Sequence, residues 1–311
     1  MLSPVQLSSV LSSCRECFAI SDDAEISLEA NPDTVGVEGL RQLRTAGFNR
    51  ISFGVQSFND EELQRLGRIH DGGRAEQAVR DARRVGFSNL SLDLMYGLPG
   101  QTPASWRKTL ERALALEPDH LSAYQLTIEE NTVFAERAGR GELSLPAEEA
   151  VLEMDAISTR LSRDAGFEHY EISNYAQLGR RCRHNLVYWH NDEYFGFGAG
   201  AVSFLEGVRA GRVEDPARYC ELVESGGDPV TTDERLSRTD SFRETVVMGL
   251  RLVEGISEER LKRRYGLGFT EVYGEIIDAL AGEGLVCFDK GRLRLTGRGR
   301  LLANTVMSEF V

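Results

Sequence analysis

The stretch ISFGVQSFNDEELQRLGRIHD, Ile51 to Asp71, decides how this chain is read. It opens with ISFGVQ, an apolar and aromatic run of the length and kind that enters a core as a strand. A bare glutamine, Gln56, stands where that strand ends, and Arg68 follows twelve residues later. Two polar side chains at the end of a buried strand call for a partner, because burying a polar group without one is costly.

Outward from this stretch, a punctuation mark recurs. Thr45-Ala46-Gly47-Phe48 follows the helical pattern Val37, Leu40, Leu43. Val85-Gly86-Phe87 follows Ala78, Val79, Ala82, and Ala165-Gly166-Phe167 follows Leu152, Ala156, Leu161. Each glycine falls where a helix needs a left-handed residue to stop, and a strand-like run comes next. Gly47 and Gly86 are 39 positions apart, and Gly86 and Gly166 are 80, one and two of the same period. A fourth helix opens at Thr102-Pro103 and ends near Pro118, before HLSAYQL. Five strands are expected: 25–29, 51–56, 90–96, 121–127 and 168–173. Alternating helices and strands on short turns predict an α/β fold, a parallel sheet with helices outside. In such folds ligands bind beyond the carboxyl ends of the strands.

Three regions are expected. Residues 1–173 form the α/β unit. Residues 174–240 read as an irregular connecting region, with SGGDPVTTDERLS as a linker. Residues 241–311 read as a compact module of three helices, a hairpin at Asp289-Lys290-Gly291 and a closing helix, which is winged-helix-like. From Ser257 to Val311 nine Lys/Arg face eight Asp/Glu, so this module lacks the basic face of a DNA reader. The whole chain of 311 residues carries a net charge of −13, which repels phosphate backbones and argues against nucleic acid. No apolar run approaches a membrane span, and MLSPVQLSSV has no signal core, so a cytoplasmic protein is expected. Five irregularly spaced cysteines fit a reduced chain rather than a disulfide scaffold.

The strand ends share a chemistry. Glu29 closes the first strand, Gln56 the second, and Asp93 stands near the end of the third. In LSLDLMY, Leu90, Leu92 and Leu94 share one face, and Ser91 and Asp93 the other. Gln125 is similarly placed on the fourth strand, and Arg68 can reach over the rim. Two carboxylates accept from an ammonium group and from sugar hydroxyls, while an amide and a guanidinium hold a carboxylate. A small zwitterion carrying a ribose satisfies all four of Glu29, Gln56, Arg68 and Asp93. Taken singly, each is better explained as a surface charge or loop cap; four at matching positions are not.

SLEANPDT, RISFGVQSFNDEELQRLGRIH and LSLDLMYGLPGQT resemble the coproporphyrinogen-oxidase-like branch of the radical S-adenosylmethionine (SAM) proteins over essentially the whole chain. The resemblance implies a partial (β/α)6 barrel with SAM across the strand ends, contacted at the positions of Glu29, Gln56, Arg68 and Asp93. It also implies a 4Fe-4S cluster held by a CxxxCxxC loop, in which three thiolates bind three irons and the fourth iron takes SAM. No such motif is present. Cys14 and Cys17 form a CxxC, but Cys14 falls on the stripe Leu7, Val10, Leu11 of a helix and reads as a core residue. Cys182, Cys220 and Cys287 are isolated and read as structural. The expectation is a barrel lacking its first β/α unit, with the cluster confined to a longer protein and the next strand exposed at the sheet edge.

A second dense stretch is CRHNLVYWHNDEYFGFGAGAVSF, Cys182 to Phe204. Its glycines are not a dinucleotide fingerprint, since no helix pattern follows them, and one Cys-x-His is too little for zinc. HNLVYW resembles the HNxxYW motif of the haem-chaperone, HemW-like branch, in which the protein holds haem and passes it on. That resemblance makes His184, Asn185, Tyr188 and Trp189 the candidate haem region. His184 is the candidate iron ligand, with His190 and His70 as competitors, and the Tyr-Trp pair packs on the macrocycle. His120 and His169 lie at strand starts and read as structural. The expected function is a haem chaperone of the radical SAM type that passes haem to an acceptor protein, with peripheral membrane association at that acceptor. The alternatives are an oxygen-independent coproporphyrinogen III dehydrogenase, an enzyme, or a cluster-free ligand-binding barrel.

Overall fold

The alternation read in ISFGVQ and LSLDLMY becomes a two-faced sheet. In the computed structural model, residues 2–311 are described, and contacts divide the chain into two units, Met1–Cys182 and Arg183–Val311. The first unit runs α1 (Pro4–Cys17), β1 (Ser27–Ala30), α2 (Val37–Ala46), β2 (Arg50–Gln56), α3 (Asp60–Arg65), α4 (Gly72–Arg84), β3 (Leu90–Tyr96), α5 (Pro103–Ala115), β4 (His120–Gln125), α6 (Val133–Gly139), α7 (Glu148–Asp164), β5 (Glu168–Glu171) and β6 (Asn174–Ala176). Its six strands lie in the order β1-β2-β3-β4-β6-β5, and β1 to β4 pair parallel. β1 stands at the sheet edge.

Ile51, Phe53 and Val55 of β2, Leu90, Leu92 and Leu94 of β3, and Leu121 of β4 are fully buried in one apolar cluster. Helix residues fill the same cluster: Leu40 and Leu43 from α2, Ala78 and Ala82 from α4, Trp106 and Leu110 from α5. Burying each of the larger side chains stabilises the unit by roughly 1.5–3 kcal/mol. Trp106 also satisfies its indole N–H inside this layer, donating to the Met154 carbonyl at 3.0 Å and to Ser158 Oγ at 2.9 Å. The helix stops are as expected: Gly47, Gly86 and Gly166 take φ of 114°, 98° and 84°, where an L side chain is strained. Thr102 and Ser105 form a capping box at the start of α5, with proline in its first turn.

The other parity of the strands is polar: Arg50, Ser52, Gly54 and Gln56 on β2, Ser91 and Asp93 on β3, His120 and Ser122 on β4.

The fifth expected strand is corrected. EHYEIS is not one parallel strand beside β4. The chain turns at Ile172-Ser173, and β6 returns antiparallel between β5 and β4. Glu171 braces the turn: its Oε1 accepts from the Ser173 backbone N–H at 3.0 Å and from the Asn174 side-chain amide. The apolar stripe on α1 is also weaker than expected. Val10 is 54% exposed, Cys17 is exposed, Cys14 is half-buried, and Leu11 alone of that helix is buried.

The second unit runs α8 (Arg183–Trp189), β7 (Val202–Leu205), β8 (Val208–Arg212), α9 (Pro216–Glu224), β9 (Val230–Arg235), α10 (Arg238–Leu250), β10 (Ile256–Ser257), α11 (Glu258–Tyr265), α12 (Phe269–Gly282), β11 (Val286–Asp289), β12 (Arg292–Leu295), α13 (Gly297–Leu301) and α14 (Ala303–Ser308). The stretch expected to be a linker contains β9, which completes an antiparallel sheet β7-β8-β9. β9 hides from a pattern search because five of its six residues are exposed. The C-terminal module matches the winged-helix expectation, with α10, α11 and α12 around a small sheet β10-β12-β11. Its hairpin turns at Lys290-Gly291, both at positive φ. Ser257 caps α11, accepting from the Arg260 N–H.

Candidate functional site

A cavity of about 540 Å³ opens over the carboxyl ends of β1, β2 and β3. Glu29, Gln56, Arg68 and Asp93 all line it, together with Asn31 and Gly54. The strand register explains the convergence, since Glu29 pairs with Ser52, Ser52 with Ser91, and Asp93 with Ser122. Side chains of one parity therefore form a continuous polar strip across the sheet. Gln125, by contrast, sits on the other parity of β4, is exposed, and does not line the cavity.

Asp93 is the most perturbed group of the site. Ser52 Oγ donates to its Oδ2 at 2.9 Å. Burial pushes its carboxyl above the ordinary aspartate range, hydrogen bonds from Ser122 and Ser52 pull it back, and the charge of Glu29 pushes the same way as burial. Arg50, 5% exposed, donates to Ser27 Oγ at 3.0 Å and partly offsets this negative charge. On β4, burial lifts the Tyr124 phenol to about 12. A carboxylate held this way seeks hydrogen-bond donors from a ligand.

Gln56 takes a φ of 67°, in the left-handed region, at a break in the β2–β3 register. A non-glycine residue there stores of order 1 kcal/mol of strain. Next to it, a Cβ on Gly54 would sit 3.1 Å from Gln56 Nε2 and 3.4 Å from Asn31 Oδ1. Glycine at 54 is what lets the two side chains share one space. Arg68 Nη1 donates to Asn31 Oδ1 at 3.0 Å. Sequence reasoning did not single out Asn31, Gly54 or Ser52. The signal was present: Asn31 is two positions after Glu29, and Ser52 and Gly54 precede Gln56 on the same alternation.

This donor and acceptor set fits SAM. Gln56 and Arg68 suit the carboxylate, Glu29 and Asp93 suit an ammonium group or ribose hydroxyls, and the volume is that of a ligand pocket. It does not fit an iron–sulfur cluster: among the described residues no three His, Cys, Asp or Glu side chains converge on a point that would hold a metal.

Comparison with known proteins sharpens this picture. Residues 9–113 match the model of the radical SAM superfamily, and residues 236–302 that of the HemN C-terminal domain. The chain is 38% identical to the heme chaperone HemW of Bacillus subtilis, across 94% of itself and 77% of that protein. It is 34% identical to the heme chaperone HemW of Escherichia coli, across 100% of itself and 81% of that protein. The chain belongs to the HemW family of radical SAM proteins. Among solved structures, coproporphyrinogen III oxidase (HemN) from Escherichia coli, a radical SAM enzyme, superposes with a TM-score of 0.84 at 27% identity, over 99% of this chain and 74% of the enzyme.

In this HemW-family chain the HNLVYW motif forms α8. His184 is exposed, and its ring packs edge-on against Tyr188 at 4.9 Å. Tyr188 packs in turn on Tyr194 at 4.8 Å, and Tyr194 lies 6.4 Å from Phe204, so the motif is the end of an aromatic run. Asn185 is half-buried on the same helix. Trp189 faces elsewhere: the Arg251 guanidinium lies 4.3 Å from its ring, and it lines a separate cavity of about 280 Å³ with His190, Arg260 and Arg292. Burial, aided by the Arg260 charge, lowers the pKa of His190 and keeps its imidazole neutral.

The remaining histidines are held by the sheet. His70 is buried, and its Nε2–H donates to the Val55 carbonyl at 3.1 Å. His120 bridges Ser91 Oγ and the Tyr170 hydroxyl, both at 2.9 Å. His169 stacks on Tyr175 and bonds the Ile172 carbonyl. Of the other cysteines, Cys182 is buried, Cys220 exposed and Cys287 half-buried. Among the described residues no helix is long and apolar enough to cross a membrane.

Proposed function

We propose that this protein is a haem chaperone of the radical SAM type, which binds SAM and haem and passes haem to an acceptor protein. The observation that carries the reading is the close likeness, over nearly the full chain, to proteins named heme chaperone HemW. Glu29, Gln56, Arg68 and Asp93 hold SAM, the carboxylates of Glu29 and Asp93 taking its ammonium or ribose and the Gln56–Arg68 pair its carboxylate. His184 ligates the haem iron, supported by its exposure and by the aromatic packing of Tyr188 behind it. Asn185 and Trp189 complete the motif. The protein works in the cytoplasm and meets a membrane only peripherally, at its acceptor. SAM, when bound with a cluster, would supply radical chemistry.

The test is a titration of haem into the 311-residue protein, followed by visible absorption, and then addition of an apo-haem protein. Saturable binding followed by transfer of the spectrum to the acceptor is expected. A protein that never develops a haem spectrum is not a haem chaperone. The second reading, an oxygen-independent coproporphyrinogen III dehydrogenase, is favoured by the superposition on HemN. Decarboxylation of coproporphyrinogen III by the protein, without haem transfer, would select it.

A further inference from the structure

We infer that Asn31 is a positioning residue for Arg68, setting the guanidinium that reads the carboxylate of a bound amino-acid moiety. This rests on the proposed reading of the β1–β3 cavity as the SAM site. Asn31 is the first residue after β1, and its placement is fixed from its own backbone. Its carbonyl accepts from the Thr34 N–H at 3.1 Å and from Thr34 Oγ1 at 2.9 Å, closing the turn Asn31-Pro32-Asp33-Thr34. Proline at the second position of such a turn presets the backbone, and asparagine is favoured at the first. The side chain is therefore delivered into the cavity by a stiff element.

There it does one thing. Asn31 Oδ1 accepts a single N–H from Arg68 Nη1 at 3.0 Å. Arg68 lies beyond α3, between Gly67 at positive φ and the exposed Ile69, on a segment that gives a long side chain little support of its own. The guanidinium carries five donors, so this contact fixes its attitude and leaves the rest for a ligand carboxylate. A neutral amide suits the task better than a carboxylate, which would neutralise the arginine and repel the incoming anion. Gly54 lies beside this contact, since a Cβ there would stand 3.4 Å from Asn31 Oδ1.

The experiment compares SAM with its decarboxylated analogue, S-adenosyl-methylthiopropylamine, by calorimetric binding to the 311-residue protein and its variants. Asn31→Ala is expected to weaken SAM by about tenfold, the loss of one hydrogen bond to a charged group. It should leave the analogue, which has no carboxylate to read, within about twofold. Asn31→Ala combined with Arg68→Ala should bind SAM no worse than Arg68→Ala alone. Asn31→Ser, which keeps a turn-forming residue but falls short of Arg68, should behave as Asn31→Ala with an unchanged melting temperature. Equal losses for both ligands, or additive losses in the double variant, would overturn the inference in favour of a merely structural asparagine. An unaltered protein that binds the analogue but not SAM, or neither, overturns the SAM reading itself before any variant is made.

Discussion

Asp93→Asn should make the ligand-free protein more stable and less able to bind SAM. The side chain occupies the polar strip of β3, accepts from Ser52 Oγ at 2.9 Å, and feels the negative charge of Glu29 across the strands. Asparagine is isosteric and keeps an oxygen for Ser52 and Ser122, so packing is unchanged. What it removes is a carboxylate that burial holds above its ordinary value of 3.8. The sign follows from proton linkage. The folded state holds the Asp93 proton to higher pH than the unfolded chain does, so between the two pKa values folding binds protons. Stability that aspartate contributes is whole below about 3.8, and is lost as pH rises through the raised folded value. Asparagine has no such loss. The melting difference between variant and parent should be near zero in acid, grow as pH rises past the unfolded value of 3.8, and level off above the raised folded value. In a unit of this size each kcal/mol regained is worth about 2–4 °C of melting temperature, so a higher melting temperature for the variant at neutral pH is expected by calorimetry. SAM affinity should fall by about ten- to a hundredfold, the worth of a hydrogen bond to a charged group. A melting difference that does not vary with pH, or a loss of stability at neutral pH, would refute the argument that Asp93 is a strained, ligand-seeking carboxylate.

Three further outcomes are expected. Gly54→Ala places a methyl group 3.1 Å from Gln56 Nε2, so it should weaken SAM binding about tenfold or more with little change in melting, read by calorimetry. His184→Ala should abolish the haem absorption spectrum while His190→Ala leaves it, because His184 is exposed and His190 is drawn into the 280 Å³ cavity; the reverse would move the ligand to His190. Trp106→Phe removes the indole N–H that reaches the Met154 carbonyl and Ser158 Oγ, which keep their own bond to each other at 2.9 Å, and leaves space in the core; it should cost about 1–3 kcal/mol in denaturant unfolding.

What the sequence made legible follows from what it encodes locally. The stops at Gly47, Gly86 and Gly166 are local events, since a left-handed residue closes a helix whatever lies around it. Glu29 and Asp93 were legible because the parallel register of β1 to β3 is regular at their level, and parity says which side chains face together; Gln56 lies past the register break and Arg68 beyond α3, and they were legible as polar residues at a strand end and on the segment that follows it. The fold-back at Ile172-Ser173 was not legible because it lacks the Asn-Gly or Gly signature of a tight hairpin. Its bracing carboxylate, Glu171, reads in sequence as one more strand residue. β9 was hidden for the opposite reason: its polar residues face water on both sides, so no alternation is written into VTTDER. Gly54 was passed over as one small residue in an apolar run, though glycine inside a strand marks a place where something approaches closely.

The mouth of the cavity departs from regular strand geometry at more than Gly54. β2 keeps register with β3 through Phe53, and then between Phe53 and Gln56 it leaves that register and turns to positive φ at Gln56. Nothing in the turn chemistry demands glutamine there; glycine or asparagine would adopt the same φ at lower cost. The buried side chain, 9% exposed, is what persists against that cost. Its amide lies at the absent Cβ of Gly54, and so does the Asn31 oxygen that holds Arg68. Strain at 56, a missing side chain at 54 and a proline-locked turn at 31–34 are three separate departures from the cheapest local choice, and they converge on one cavity. Independent costs that meet at a single point are the mark of a site shaped for a ligand, and the Gly54→Ala variant, which restores the cheaper strand residue, is the direct way to ask whether that ligand reads its carboxylate there.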